Sequence, residues 1–174
     1  NLLGKQQSGH IGLDLYMQMV EQAVQRLKGL VVEDEPDPTL QLPVSAFIPE
    51  GYVADPHQRL SLYKRLTACN QVGELALLHG EIQDRYGHPP EPVERLLEVM
   101  QLRIHAKRLR LVSVEVHHTS VTVSFSPKAT VSDKSVNRLM DRLKKRLRFL
   151  SPLSFQIQFP SESWPAMFSE LNTT

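Results

Sequence analysis

The chain has 174 residues, 41% of them hydrophobic and 22% charged, so it is long enough to bury the core of one domain or of two small ones. Its formal net charge is +1, its apolar runs are too short to span a membrane, and its N-terminal residues show no signal-peptide pattern. The single cysteine, Cys69, excludes a disulfide framework and a cysteine-built zinc site within one chain and fits a reducing cytoplasm.

The charges are unevenly distributed along the chain. Residues 1–102 carry 8 Lys and Arg against 14 Asp and Glu, whereas residues 103–148 carry 12 against 3 and residues 149–174 carry none against 2. Such asymmetry occurs in nucleic-acid-binding proteins, but a solvated helix face gives the same pattern. Charge distribution alone therefore leaves both interpretations open.

The first 38 residues predict a loop, a helix and a linker. Residues 1–12 lack periodicity and begin without a methionine, so we expect a segment of a longer chain. An apolar stripe at spacings of three and four predicts a helix over residues 13–28, and the acidic, proline-containing residues 33–39 predict a linker. The stripe consists of Leu13, Met17, Val20, Val24 and Leu27.

A strand and three consecutive helices are predicted next. Residues 40–44 alternate between apolar and polar or small side chains, which is typical of a half-buried strand. Residues 55–109 carry the densest helix signals: Asp55 and the following proline begin the first helix, Asn70 is expected to cap the second, and Gly87 ends it. The residues predicted to face inward from the second helix are Val72, Leu75, Leu78, Ile82 and Tyr86.

From residue 112 the periodicity changes from helical to two. This order of elements predicts an α+β fold in which a helical N-terminal half is followed by a small sheet, a hairpin plus a further strand, packed with helices. The predicted elements are a hairpin over 112–116 and 121–125, a helix over 132–148, a strand over 153–159 and a short helix over 164–171.

No catalytic motif is present. The sequence has no Walker A, GxGxxG, HExxH or GxSxG pattern, so we expect no catalytic residue and no enzyme activity from this segment alone. No two of the seven histidines are four residues apart on a predicted helix, so no metal site is expected. Cys69, at a predicted helix end, is expected to be a packed thiol.

Three carboxylates share the polar side of the second predicted helix. Glu74, Glu81 and Asp84 are separated by seven and three residues, which keeps them on one side of a helix. They form either a solvated face or a docking surface for a basic protein partner. The pattern does not rank these two interpretations.

The predicted helix over 132–148 is strongly basic. Arg138, Arg142 and Lys145 are its candidates for phosphate contact, which would give salt-dependent nucleic-acid binding. No aromatic residues interleave with these charges to stack on bases. A solvated basic face is therefore the preferred interpretation, with a nucleic-acid-binding module as the alternative.

Several stretches, in order, resemble the bacterial transcription-repair coupling factor family. NLLGKQQSGHI is similar to the end of the translocation motif that this family shares with a branching-DNA helicase; LDLYMQMVEQAVQRLKG resembles the helix that follows. LPVSAFIPEGYVADPHQRLSLYKRL and EIQDRYGHPPEPVERLLEVMQLR resemble the family's C-terminal domain. Gln7 matches the motif's glutamine, but the motif's arginine and helical hairpin are absent. The resemblance predicts the motif tail at 1–12, a helix and acidic linker at 13–38, and a C-terminal regulatory α+β domain at 39–174.

The resemblance implies a cytoplasmic parent protein that translocates on double-stranded DNA with ATP and Mg in its motor. It implies that the parent displaces stalled RNA polymerase and recruits nucleotide-excision repair through the excision-nuclease A subunit. The C-terminal domain would be autoinhibitory, packing on an N-terminal module similar to the excision-nuclease B subunit and masking the A-subunit surface. Glu81 and Asp84 match the positions that meet basic residues of that module. For this segment the expectation is no cofactor, no membrane partner, and DNA contact only through the parent motor.

Overall fold

A computed structural model of the chain describes residues 37–160 and 163–173. The predicted motif tail with Gln7 and the predicted helix over 13–28 lie outside the described residues. The chain divides into two compact units, whose described parts are residues 44–104 and residues 37–43 together with 105–173.

The first unit is built from three helices, as the sequence predicts. They are α1 (Pro56–Ala68), α2 (Val72–Tyr86) and α3 (Glu91–Arg108). The last residues of α3, from His105, are assigned to the second unit. The Asp55 carboxylate accepts a hydrogen bond from the His57 backbone N–H at 2.8 Å, which confirms the predicted start of α1. Gly87, with φ +85°, confirms the predicted end of α2, since this conformation favours glycine.

The predicted start of α2 is wrong by one residue. The residue that precedes the helix is Gln71, not Asn70. Val72 is exposed instead of facing inward, whereas Leu75, Leu78 and Ile82 are buried as expected. The start of α2 is therefore held by the side chain of Glu74 and not by burial of Val72.

Tyrosine hydroxyls fix the loop that precedes α1 against the helices of the first unit. The Tyr63 hydroxyl accepts a hydrogen bond from the Ile48 backbone N–H at 2.7 Å. The Tyr52 hydroxyl donates to the Gly87 carbonyl at 2.7 Å, directly after α2. Two points of this loop, Ile48 and Tyr52, are thus tied to the helices of the first unit.

The second unit is a mixed sheet with helices, and the predicted α+β class is confirmed. In the described residues its five strands follow the order β1-β2-β3-β5-β4, with β1 parallel to β2 and every other pair antiparallel. Its bounds are β1 (Thr39–Gln41), β2 (Leu111–His117), β3 (Ser120–Phe125), α4 (Asp133–Leu143), β4 (Leu147–Ser151), β5 (Ser154–Gln158) and α5 (Trp164–Thr173).

One face of this sheet is apolar. Register partners Val114 and Val123 share it with Phe155, because paired residues on neighbouring strands point to the same side. All three are buried, and Met167 of α5 is buried as well. The predicted β2–β3 hairpin, the strand over 153–159 and the short last helix are confirmed, although β5 begins one residue later and ends one residue earlier than predicted.

The predicted helix over 132–148 is wrong in its last third. The α-helix ends at Leu143, residues Lys144–Arg146 form a single 3₁₀ turn, and Leu147 begins strand β4. Lys144 has φ +48°, a left-handed conformation that an α-helix cannot contain. Leu147, predicted to continue the helical stripe, pairs with Ile157 of β5 instead.

The predicted strand over 40–44 is also shorter than expected. β1 ends at Gln41. Pro43 has no backbone N–H to donate, so the ladder with β2 cannot continue through it. Leu42 and Val44 are buried outside the sheet.

In the part of the chain that the structure describes, no helix is long and apolar enough to cross a membrane.

Candidate docking surface on the second helix

The exposed side of α2 lies opposite its buried residues. Leu75, Leu78 and Ile82 face the core, and residues three to four positions apart on the other side, such as Gly73, Leu77 and Glu81, are exposed. Because the buried stripe is narrow, more than half of the helix circumference faces solvent. This side carries the predicted carboxylates.

Glu81 is held by α1. Both carboxylate oxygens accept hydrogen bonds from the Arg65 guanidinium, each at an N–O distance of 2.5 Å. These bonds, followed by the positive charge of Arg65, lower the pKa of the Glu81 carboxyl below its usual value; the same contact raises the pKa of Arg65. The predicted docking residue is therefore ionised and oriented within the fold itself.

Asp84 lies one turn beyond Glu81 on the same side of α2 and is exposed. Both carboxylates border a shallow depression of about 580 Å³. Its lining residues are Ala76, Leu77, Gly80, Glu81, Asp84 and Arg85. The structure thus places two of the three predicted docking residues at one surface feature.

The third predicted residue, Glu74, caps the start of α2. Its Oε2 atom accepts from the Asn70 backbone N–H at 2.9 Å and from the Gln71 backbone N–H at 3.3 Å. These contacts satisfy backbone donors that have no partner within the helix. Glu74 therefore has a structural role, and a part for it in docking stays a prediction.

Leu77 is a surface residue that the sequence analysis did not single out. Its side chain is 79% exposed, more than that of any other large hydrophobic residue in the described ranges. It lines the same depression as Asp84. The sequence contains one signal for this: Leu77 falls outside the stripe formed by Leu75, Leu78 and Ile82, which places an apolar side chain on the exposed side of the helix. An exposed leucine beside Glu81, Asp84 and Arg85 gives this surface an apolar centre and a charged rim, in which Asp84 and Glu81 are the carboxylates.

The predicted basic candidates do not lie on one helix. Arg138 and Arg142 are exposed and four residues apart on α4. Lys145 belongs to the 3₁₀ turn after that helix, so its predicted position on the helix face is wrong. The helical spacing that united the three residues therefore holds for two of them.

Neither a metal-ligand cluster nor a reactive cysteine is found in the described part of the chain. Residues 37–160 and 163–173 contain no group of three or more His, Cys, Asp or Glu placed to hold a metal ion. The Cys69 thiol is buried and lies 3.3 Å from the Arg65 carbonyl, to which it donates. Burial raises its pKa, which favours the unreactive thiol form.

Comparison with known proteins identifies the family. The family model described as "TRCF domain" matches residues 42–136, which include α1, α2 and α3. The chain belongs to the transcription-repair coupling factor family.

Curated transcription-repair coupling factors are 32–39% identical to this chain over the aligned residues. The protein from Myxococcus xanthus is 39% identical over 147 residues, covering 83% of this chain and 12% of its own length. The protein from Helicobacter pylori strain 26695 is 34% identical over 155 residues, covering 85% of this chain and 16% of its own length. The chain thus spans less than one fifth of the length of these transcription-repair coupling factors.

A crystal structure of the C-terminal domain of a transcription-repair coupling factor has the same fold. It aligns with a TM-score of 0.70 over 78% of this chain and 88% of the other, at 16% sequence identity. The α+β architecture described above is therefore the fold of that C-terminal domain.

Proposed function

We propose that this chain is the protein-docking, autoinhibitory domain of a transcription-repair coupling factor. The exposed side of α2 docks on a basic module of the same parent protein and thereby masks the binding surface for the excision-nuclease A subunit. The observation that carries this proposal is the grouping of Asp84, Glu81 and exposed Leu77 at one depression on α2. An apolar centre with carboxylates on its rim suits a basic protein surface better than it suits DNA.

The parent function follows from the family. Relatives named transcription-repair coupling factors imply a role in DNA repair coupled to transcription, and the resemblance implies a cytoplasmic, ATP-driven translocase that displaces RNA polymerase. In that setting masking is a docking equilibrium within one protein. Rearrangement of the parent during translocation would shift the equilibrium and expose the A-subunit surface. ATP and Mg belong to the parent motor, not to this domain.

Charge reversal in the full-length parent tests the proposal. Glu81→Lys together with Asp84→Lys places two cations against the basic module and should release it. Binding of the excision-nuclease A subunit, measured by titration calorimetry, should then become at least tenfold tighter. Asp141→Lys is the matched control, because Asp141 is an exposed carboxylate on α4. If the double variant and the control bind the A subunit equally, the masking role of these carboxylates is wrong.

A second candidate function is nucleic-acid binding through α4. Arg138 and Arg142 are both exposed on one flank of this helix, as phosphate contact requires. Titration of the 174-residue chain with duplex DNA at 50 mM and 200 mM salt tests it. Salt-dependent binding that weakens in Arg138→Gln and Arg142→Gln supports this function, and binding that is absent at low salt excludes it.

A further inference from the structure

Strand β4 lies at one end of the sheet of the second unit. β4 pairs with β5, and among the described residues no strand pairs with its other side. Every second residue of such a strand directs its backbone N–H and C=O groups outward. Residues 148–153 are all exposed, so no helix or loop within residues 37–160 and 163–173 covers this strand.

The strand carries large apolar side chains at this open position. Phe149 is 48% exposed and Leu150 is 50% exposed. Phe149 is the register partner of Phe155, and their ring centroids lie 6.4 Å apart, so Phe149 extends the apolar face of the sheet onto its last strand. Exposed edge strands are normally short or charged, and exposed apolar residues on one indicate a binding site or a tendency to associate.

Cationic residues flank this apolar position. Lys144, Lys145 and Arg148 are exposed, and Arg148 is the register partner of Gln156. Successive residues of a strand point to opposite faces, so Arg148 lies on the face opposite Phe149. We refer to Lys144, Lys145, Arg148, Phe149 and Leu150 as the β4 edge.

The positive charge of the β4 edge limits which kinds of molecule can bind there. A second copy of the chain, paired through its own β4, would bring two sets of these cations together, and like charges opposite each other are destabilising. Asp37, the described part of the predicted acidic linker before β1, forms an ion pair with Lys107 at 2.9 Å and leads into β1 at the other end of the sheet. Nucleic acid would use the cations but neither the backbone groups nor the apolar side chains.

We propose that the β4 edge binds an extended, acidic segment of a partner protein by strand addition. The added strand forms backbone hydrogen bonds with β4. Its alternate side chains are apolar and cover Phe149, and the side chains between them are carboxylates that face Arg148. This chemistry uses all three features of the β4 edge, namely backbone groups, apolar surface and positive charge. The surface lies in the second unit, and the proposal is independent of docking through α2.

A designed peptide tests strand addition directly. The probe is a fluorescein-labelled ten-residue peptide that alternates Glu and Val, titrated with the 174-residue chain and followed by fluorescence anisotropy. N-methylation of alternate backbone amides of the probe blocks strand pairing but keeps its side chains, and should weaken binding at least tenfold. A Lys-Val peptide of equal length should bind at least tenfold more weakly because it meets the cations of the β4 edge.

Variants of the chain locate the site. Phe149→Ser should weaken binding of the probe by about five- to tenfold through lost apolar burial. Arg148→Glu should weaken it by a similar factor, whereas the control Lys134→Glu on α4 should leave it unchanged. Thermal unfolding of each variant checks that it is folded. The comparison of the probe with its N-methylated form needs no variant of the chain, so the test stands even if Phe149→Ser does not fold.

Two outcomes overturn the proposal. In one, the probe and its N-methylated form bind equally, which means that no strand is added. In the other, duplex DNA binds with a dependence on Lys145 and Arg148 but none on Phe149 or Leu150, which makes the β4 edge a nucleic-acid surface.

Discussion

The Arg65 guanidinium holds both carboxylate oxygens of Glu81 and so links α1 to the exposed side of α2. This pair is half-exposed at both ends. Its geometry is bidentate, the arrangement in which an arginine fixes the orientation of a carboxylate most firmly. The pair therefore orients one docking residue and at the same time occupies the oxygens with which Glu81 would bind a partner.

We expect the contribution of the Arg65–Glu81 pair to the stability of the fold to be lost at acidic pH. The pKa of Glu81 is lower in the folded chain than in the unfolded one, so its stabilising contribution is fully present above the unfolded value of about 4.3. It is lost as the pH falls through the folded value. Glu81→Gln should therefore lower the thermal unfolding temperature at pH 7, and this difference should shrink as the pH falls below about 4.3 and through the folded pKa of Glu81. A difference that stays constant from pH 7 to pH 3 would contradict this linkage.

The two docking carboxylates should contribute unequally. Glu81 is already bound by Arg65, whereas Asp84 at the same depression is exposed. We therefore expect Asp84→Asn to weaken docking about tenfold and Glu81→Gln to weaken it about threefold or less. The measurement is binding of the excision-nuclease A subunit to the full-length parent. Equal effects of the two variants would show that Arg65 does not limit the contribution of Glu81.

Leu77 should act in docking and not in folding. Its side chain is 79% exposed, so Leu77→Ser should change the free energy of unfolding by less than about 0.5 kcal/mol. The same change should weaken docking about tenfold, because an apolar centre is lost from the surface. Leu78→Ala is the contrasting variant: Leu78 is buried, and its truncation should cost about 2–5 kcal/mol of stability. Urea unfolding and A-subunit binding separate the two effects.

Glu74 should show the reverse behaviour. Because its carboxylate caps α2, Glu74→Ala should reduce the free energy of unfolding by about 0.5–2 kcal/mol. Glu74→Gln keeps an acceptor oxygen and should recover part of this loss. Docking should change little in either variant if Glu74 has no further role, and a loss of docking at unchanged stability would instead support its predicted contact with the partner.

Elements with strong local signals were predictable from the sequence. Asp55 before a proline and Gly87 after an apolar stripe fix the start of α1 and the end of α2, because each signal acts within one helical turn. Glu81 and Asp84 could be placed on one side of α2 for the same reason, since helical periodicity alone determines it. Local signals of this kind were sufficient to predict the α+β class.

Relationships between distant residues were not predictable. Arg65 and Glu81 are sixteen positions apart, and nothing in the periodicity of either helix indicates that they pair. Strand β4 was missed because Leu147 continues a spacing of four from Leu143 and therefore fits a helical stripe as well as a strand. Its assignment depends on pairing with β5, a contact that a single sequence does not display.

A substitution at the end of α4 should change the free energy of unfolding in opposite directions, depending on whether the helix ends at Leu143 or continues. Lys144 has φ +48°, a conformation that costs a side-chain-bearing residue about 1 kcal/mol and costs glycine almost nothing. Lys144→Gly should therefore raise the free energy of unfolding by up to about 1 kcal/mol. In a continuous helix over 132–148, the same substitution would lower it by about 1 kcal/mol. Lys145→Gly, at the next position, serves as the control and should not stabilise the chain. Urea unfolding of the two variants beside the unsubstituted chain distinguishes a helix that ends at Leu143 from one that continues.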